Sequence, residues 1–248
     1  MPQCNIEMSG THALKGMAMK TIGLVGGMTP ESTKVYYELL IQGARRPSGN
    51  PLRNPEVLIY SIDLAELVQF QSGPDGTKVV EYLSDILERL RKAGAEVGAI
   101  TANTPHAFLD EIQAETTLPL VSIVTATRDA AAHRELENAL LLGTRTTIEA
   151  EMYPREFADA GIRVVLPGDE DREFLDQTIY NDLAVGRVSP EIRQRYQEIC
   201  AKHIEKDGID SVILGCTELP LVISSDDLPI HVLDTSKIHA AAILAAAS

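Results

Sequence analysis

Two stretches of this chain repeat the same order of elements, and this internal repeat constrains the fold more than any other feature. In each stretch a long amphipathic helix ends in glycine, an acidic residue follows two positions later, and an apolar strand begins. The glycines are Gly94 and Gly208, and the residues 8 positions beyond them are Ala102 and Cys216. The strand tips of the two halves therefore correspond, which indicates a duplicated structural unit.

Strands alternate with helices through both halves, and this order predicts parallel β-sheets covered by helices. The apolar runs that we interpret as strands are Thr21–Val25, Val57–Ile62, Val97–Ile100, Pro119–Ile123, Ala139–Leu142, Arg163–Leu166, Val212–Leu214 and Ile230–Leu233. We predict an α/β protein of two similar domains. Residues 21–122 with 226–248 form the first domain, residues 123–225 form the second, and residues 1–20 are expected to be a flexible leader.

The formal net charge of −14 makes nucleic acid and anionic lipid unfavourable partners. The basic clusters Arg45-Arg46 and Arg91-Lys92 are too small to override it. No apolar run reaches the length of about 18 residues needed to span a bilayer. We therefore expect no membrane partner. The three cysteines show no zinc spacing and no disulfide pattern, so we also expect no metal site and a cytoplasmic location.

Polar and small residues gather where the predicted strands end, and ligands of open parallel sheets bind beyond the carboxyl ends of their strands. The segments are Gly26-Gly27-Met28, Asn103-Thr104, Gly143-Thr144 and Cys216-Thr217. Their hydroxyl, amide and backbone N–H groups suit a carboxylate. Helix capping and turn formation explain the same residue types.

Cys216 is the strongest candidate for a reactive side chain, because it follows a strand and precedes Thr217-Glu218. We expect a lowered pKa for its thiol at a helix N-terminus, so that it can act as a base or a nucleophile. Cys200 lies within a helix and is expected to be an inert buried thiol. His106 and His239 are either general bases or supporting hydrogen-bond partners.

Five motifs resemble the aspartate/glutamate racemase family, in order along nearly all of the chain after Lys20. They are Ile22-Gly23-Leu24-Val25-Gly26-Gly27-Met28, Asn103-Thr104-Pro105-His106, Leu142-Gly143-Thr144-Arg145-Thr146-Thr147, Leu214-Gly215-Cys216-Thr217-Glu218-Leu219 and Asp234-Thr235-Ser236-Lys237-Ile238-His239. The resemblance implies two α/β domains in pseudo-twofold relation, with the active site in the cleft between them. It also implies an isomerase without pyridoxal phosphate or metal, a small amino acid or dicarboxylate as ligand, and a homodimer.

In that family two residues, usually cysteines, face the substrate α-carbon, and one removes the α-proton while the other returns a proton on the opposite face. By resemblance Cys216 is the second-half acid/base. The residues that match substrate contacts are Met28, Arg53, Gln71, Asn103, Thr104, Thr147, Thr217 and Glu218. Among them, Arg53 matches the arginine that grips a side-chain carboxylate.

The departure from the family pattern is Ala102, which stands where the first cysteine is usual. Three hypotheses follow. The chain is a cofactor-independent racemase of aspartate or glutamate, with Thr101, His106 or water in place of the missing acid/base. Alternatively it is a one-cysteine enzyme of decarboxylase or isomerase type, as arylmalonate decarboxylase is, or a protein that binds an amino acid or dicarboxylate without turnover.

Overall fold

A computed structural model describes residues 19–48, 52–71 and 76–248, and of Arg46–Ser48 and Gln71 it describes the backbone. Within these ranges the strands are β1 (Ile22–Gly26), β2 (Val57–Ser61), β3 (Val97–Ile100), β4 (Asn138–Leu142), β5 (Arg163–Val165), β6 (Ser211–Leu214) and β7 (His231–Asp234). They form two sheets of parallel strands, in the orders β2-β1-β3 and β5-β4-β6-β7.

The α-helices in the described ranges are α1 (Pro30–Ser48), α2 (Leu64–Gln71), α3 (Thr77–Lys92), α4 (Leu109–Ala114), α5 (Ile123–Ala132), α6 (Arg145–Glu149), α7 (Met152–Ala158), α8 (Asp169–Asn181), α9 (Pro190–Asp207) and α10 (Thr235–Ala247). Short 3₁₀ helices span Thr104–Phe108, Leu183–Val185 and Leu219–Leu221. None of the helices in this part of the chain combines the length and the apolarity that a bilayer crossing requires.

The central strand β1 is fully buried because helices cover both faces of the first sheet. Ile22 and Leu24 pack against Tyr36 of α1 and against α10, whereas Val25 faces the helix pair α3 and α4. A strand that is covered on both faces is apolar at every position rather than at alternate ones. This explains why β1 appears in the sequence as a continuous apolar run.

The two sheets repeat one topology, since β2-β1-β3 and β5-β4-β6 place corresponding strands in the same order. Ala102 follows the end of β3 by two residues, and Cys216 follows the end of β6 by two residues. The predicted α/β fold with two similar halves is confirmed, and the correspondence of the two strand tips holds in three dimensions.

The C-terminal region is shared between the halves, which corrects the predicted assignment of residues 226–248. Strand β7 pairs with β6 and so belongs to the second sheet, whereas α10 packs on α1 and β3 of the first half. Residues 119–123 also differ from the predicted strand, because α5 already begins at Ile123 and only Leu120 bridges to Gly98. The division at residues 122 and 123 stays a prediction, and the predicted leader, up to residue 18, lies outside the described residues.

Candidate active site

A cavity of about 200 Å³ opens where the carboxyl ends of β1, β3, β4 and β6 meet. Both halves of the chain contribute side chains to it. Its lining consists of Met28, Thr29, Leu64, Leu67, Val68, Ala102, Asn103, Thr104, Pro105, Thr144, Thr147, Ile179, Tyr180, Ala184, Gly215, Cys216, Thr217 and Glu218. Every strand tip that the sequence analysis singled out therefore reaches one site.

Tight backbone packing places the first-half residues at this cavity. Gly27 has a φ of +89°, and a Cβ atom there would lie 2.5 Å from the carbonyl oxygen of Ile62. Glycine alone combines this conformation with so close an approach. The turn delivers Met28 and Thr29 to the cavity, and the Thr29 hydroxyl accepts a hydrogen bond from the N–H of Ser32 in α1.

Cys216 forms a hydrogen-bonded pair with Glu218. Its Sγ–H donates to Glu218 Oε2 at 2.9 Å. The preceding Gly215 lets the chain turn closely past β4, because its N–H donates to Leu142 O at 2.7 Å and a Cβ atom would lie 2.8 Å from that oxygen. The fold thus holds a thiol and a carboxylate in contact in the cavity wall.

The pKa of the Cys216 thiol is raised well above its ordinary value, first by burial and then by the Glu218 carboxylate. The expected lowering by a helix N-terminus is wrong, since only the three-residue 3₁₀ helix Leu219–Leu221 follows. The resting thiol is protonated, and Glu218 Oε2 accepts its hydrogen bond.

Glu218 connects the two halves of the site. Its Oε1 accepts a hydrogen bond from Thr29 Oγ1 at 3.2 Å, and its Oε2 accepts one from Thr217 Oγ1 at 2.8 Å. Thr217 in turn accepts a hydrogen bond from the Ser32 hydroxyl. These contacts fix the carboxylate beside the thiol.

A chain of threonine hydroxyls forms a polar part of the cavity wall. Thr104 Oγ1 lies 3.0 Å from Thr147 Oγ1, and Thr144 Oγ1 donates to the same Thr147 oxygen at 3.1 Å. Hydroxyl groups donate and accept, so this chain can turn its protons toward a bound carboxylate. The structure brings two of the predicted threonines, Thr104 and Thr147, to the cavity with these partners.

Asn103 also lines the cavity, but its amide is held by Tyr153 of α7 and Thr235 of α10. Its Oδ1 accepts from the Tyr153 hydroxyl at 2.6 Å, and its Nδ2 donates to Thr235 Oγ1 at 3.3 Å. Thr235 donates onward to Leu214 O at 2.7 Å. One amide hydrogen of Asn103 is left to meet a ligand, since the NH₂ group carries two.

Two predicted site residues, Thr101 and Arg53, do not join this group. Thr101 is fully buried and its hydroxyl donates to Val25 O, whereas the next residue, Ala102, lines the cavity. The expected catalytic role of Thr101 therefore has no support in its position. Arg53 is exposed and absent from the lining, and its neighbour Asn54 is bound to Arg45 near the far end of α1. The side chain of Gln71 lies outside the described residues.

The structure adds apolar lining residues that the sequence analysis missed. They come from α2 and from the end of α8 with the following 3₁₀ helix, and they are Leu64, Leu67, Val68, Ile179, Tyr180 and Ala184. The position of α2 directly after β2 could have predicted its residues, because the segments that follow parallel strands gather at one edge of the sheet. No local pattern marks Tyr180 as a site residue.

Two buried histidines support the site from behind. His106 Nδ1 donates to Ala102 O at 2.8 Å, and His106 Nε2 accepts from the N–H of Ile123 at 3.2 Å. His239 contacts the Tyr36 hydroxyl and Val121 O through its two nitrogens. Burial lowers the pKa of His106 to about 4 and that of His239 to about 3, so both are neutral supporting groups rather than general bases.

We expect the free energy of unfolding to decrease as the pH falls from about 6.5 to about 4. A lowered native-state pKa means that the unfolded chain takes up the proton first, which favours unfolding; for His106 the loss is on the order of 3 kcal/mol. Denaturant unfolding at each pH measures it. His106→Asn should flatten this slope, whereas His133→Asn, at an exposed position, should keep it. A slope that His106→Asn leaves unchanged would contradict the assignment.

Among the described residues no group of three or more histidine, cysteine, aspartate or glutamate side chains is arranged to hold a metal ion. The polar wall of the cavity consists instead of hydroxyls, one amide, one thiol and one carboxylate. These groups can bind a small zwitterion and move a proton.

Comparison with known proteins agrees with this geometry. A family model described as Asp/Glu/hydantoin racemase matches residues 25–243. The broad specificity amino-acid racemase RacX of Bacillus subtilis is 26% identical over 219 residues, which cover 87% of this chain and 92% of that protein. An aspartate racemase homologue from Pyrococcus horikoshii has 38% sequence identity to this chain. Its structure superposes with a TM-score of 0.82, and the match covers 92% of this chain and 99% of that one. The aspartate racemase of Picrophilus torridus shares the fold at 22% identity and a TM-score of 0.74, over 92% of this chain and 94% of that one.

Proposed function

Because this chain belongs to the Asp/Glu/hydantoin racemase family and is an isomerase of racemase type, we propose that it inverts α-amino acids without a cofactor, with Cys216 as acid and base. The observation that carries the proposal is the hydrogen bond of 2.9 Å between Cys216 Sγ and Glu218 Oε2 in the cavity wall. A thiol with a carboxylate as its proton acceptor is the arrangement that activates a sulfur base.

In the proposed reaction the pair carries one proton at rest and two protons once the α-proton of the substrate has been removed. Glu218 takes the thiol proton, and the resulting thiolate of Cys216 removes the α-proton of the substrate. The electron pair of the broken C–H bond stays on the substrate as an enolate-like anion. The raised pKa of the Cys216 thiol makes the transfer of its proton to Glu218 unfavourable in the resting site, so the thiolate is a transient species in the proposed reaction.

Hydrogen-bond donors around the α-carboxylate stabilise the charge that develops on it, which is commonly the largest contribution in catalysis of this kind. The hydroxyls of Thr104 and Thr147 and the remaining amide hydrogen of Asn103 are candidates for this role. Glu218 Oε1 has a lone pair left for the α-ammonium group, since Thr29 occupies only one.

The proton that returns on the other face has no matching thiol, because Ala102 lines the cavity where the repeat would place it. A methyl group carries no exchangeable proton. We propose water as the second proton source, and the hydroxide that this leaves is neutralised by the extra proton of the Cys216–Glu218 pair, which returns to solvent. Proton transfer is then fast on the face of the substrate α-carbon that Cys216 contacts and slow on the face next to Ala102.

Other parts of the expectation stay proposals. The choice of aspartate or glutamate rested on the family motifs and on Arg53, and Arg53 does not line the cavity. RacX, which is named for broad specificity, supports a proposal that leaves the side chain open. A homodimer is proposed from the resemblance alone, and a cytoplasmic location from the cysteine pattern.

The test is incubation of each enantiomer of a panel of amino acids in heavy water, with the α-proton followed by NMR. We expect exchange, and slower inversion monitored by chiral chromatography. Loss of the α-proton signal with retained configuration would show that only the Cys216 face works. If no amino acid of the panel exchanges its α-proton in either enantiomer, the proposal is wrong.

Ala102 favours one second candidate, a one-sided proton transfer such as decarboxylation followed by protonation from Cys216. It is distinguished by the release of carbon dioxide from a malonate-type substrate with formation of a single enantiomer. A protein that only binds would show thermal stabilisation by a ligand without either reaction.

A further inference from the structure

The charge inventory of the cavity is unusual for a site that takes an acidic amino acid. Among the described lining residues there is no lysine, arginine or histidine, and the one side chain with a full charge is Glu218. Residues 49–51 and 72–75, which interrupt the described ranges, contain no lysine or arginine in the sequence either.

A bound α-amino acid brings its own balancing charges, since the ammonium and the α-carboxylate cancel. The side chain of aspartate or glutamate would add a second carboxylate to a cavity that already holds Glu218. Burying an unpaired charge is costly because its hydration is not replaced. The site thus opposes an acidic side chain.

The remaining wall offers what an uncharged side chain needs. Leu67 and Ile179 are almost fully buried, whereas Leu64 is 37% exposed, Val68 is 49% exposed and Tyr180 is 60% exposed. All of them line the cavity. A ligand side chain that covers the three exposed groups removes their apolar surface from water, which favours binding.

We infer that the substrate is an amino acid with an uncharged, largely apolar side chain, and that the specificity-determining residues lie on α2 and on the segment from Ile179 to Ala184. This inference rests on the proposed function for its reaction. The polar wall with Thr104, Thr147 and Glu218 holds the α-carboxylate and the ammonium, and the apolar wall holds the side chain.

The first experiment compares α-proton exchange of both enantiomers of leucine, methionine, asparagine, aspartate and glutamate in heavy water. We expect kcat/KM for leucine or methionine to exceed that for aspartate and glutamate on the order of 10²-fold, since one unpaired charge is avoided. Asparagine is nearly isosteric with aspartate, so it separates charge from size and should react faster. Aspartate or glutamate reacting as well as the neutral amino acids would overturn the inference.

A charge placed in the apolar wall provides the second experiment. Ala184→Lys adds a cation to the lining and should raise kcat/KM for glutamate relative to methionine at least about tenfold. Val185→Lys is the matched control, because Val185 is the next residue, is exposed and does not line the cavity. An equal change in both variants, or none in either, would contradict the assignment of this wall.

Arg53→Leu tests the alternative cation directly. We expect the ratio of aspartate to leucine activity to stay unchanged, and a specific loss of aspartate activity would overturn the inference in favour of Arg53. If no amino acid exchanges its α-proton, the proposed function fails, and calorimetric binding to the wild-type protein decides the ligand class. Tighter binding of leucine or methionine than of aspartate supports the inference, whereas tighter binding of aspartate, or no binding, refutes it.

Discussion

Replacing Ala102 by cysteine is expected to raise the rate of racemisation by about 10²–10⁴-fold, the usual contribution of a general acid–base group. Ala102 lines the same cavity as Cys216 and follows its strand at the corresponding position. A thiol there supplies a proton carrier where the wild-type protein has a methyl group. In energy the gain corresponds to about 3–5 kcal/mol of transition-state stabilisation. Chiral chromatography of the product against time measures it.

Ala102→Ser is the matched control, because serine is close to cysteine in size while its hydroxyl is a far weaker acid and base. We expect this variant to racemise at the wild-type rate. An equal acceleration by serine and cysteine would mean that filling the space matters rather than proton transfer. An unchanged rate in Ala102→Cys would show that the second proton site lies elsewhere in the cavity.

The opposite change, Cys216→Ala, is expected to lower α-proton exchange by about 10²–10⁴-fold. In the proposed reaction Glu218 takes the proton of this thiol. Thr217 also donates a hydrogen bond to Glu218, but its hydroxyl is a far weaker acid than a thiol. Among the described lining residues Cys216 is the one thiol. NMR in heavy water gives the exchange rate for each enantiomer. Retained exchange in this variant would remove Cys216 from the mechanism.

The control for this change is Cys200→Ala. Cys200 is fully buried within α9, and burial raises the pKa of its thiol to about 12. We expect normal exchange with a moderate loss of stability, because a small cavity replaces the sulfur. If Cys200→Ala abolished exchange as Cys216→Ala does, the effect would belong to the packing of the second half and not to the chemistry of one thiol.

The repeat could be read from the sequence because it depends on local signals. Glycine at each helix end and an apolar run after it mark the same turn in both halves, and both observed sheets share the order of their matching strands. The pairing of β7 with β6 could not be read, since an apolar strand pairs equally well with either sheet by its residues alone. Only the path of the folded chain selects the partner.

The polar side of the site was likewise accessible from the sequence, whereas its electrostatics were not. Cys216 and Thr104 stand at strand ends, and parallel strands bring such ends together. The raised pKa of Cys216 depends on burial and on the direction in which Glu218 points, and both are properties of the packed molecule. The absence of Arg53 from the cavity lining has the same origin, because a motif places a residue along the chain and not in space.

The sequence by itself therefore determined the α/β repeat, the strand tips that form the site, and the thiol at one of them with Ala102 at the other. Only the tertiary structure decided that Thr101 faces inward, that Glu218 is the partner of Cys216, and that an apolar wall without a described cation completes the cavity. Local patterns determine secondary structure through contacts between near neighbours. The composition of a cavity depends on residues far apart in the chain, and it is decided when the two sheets pack.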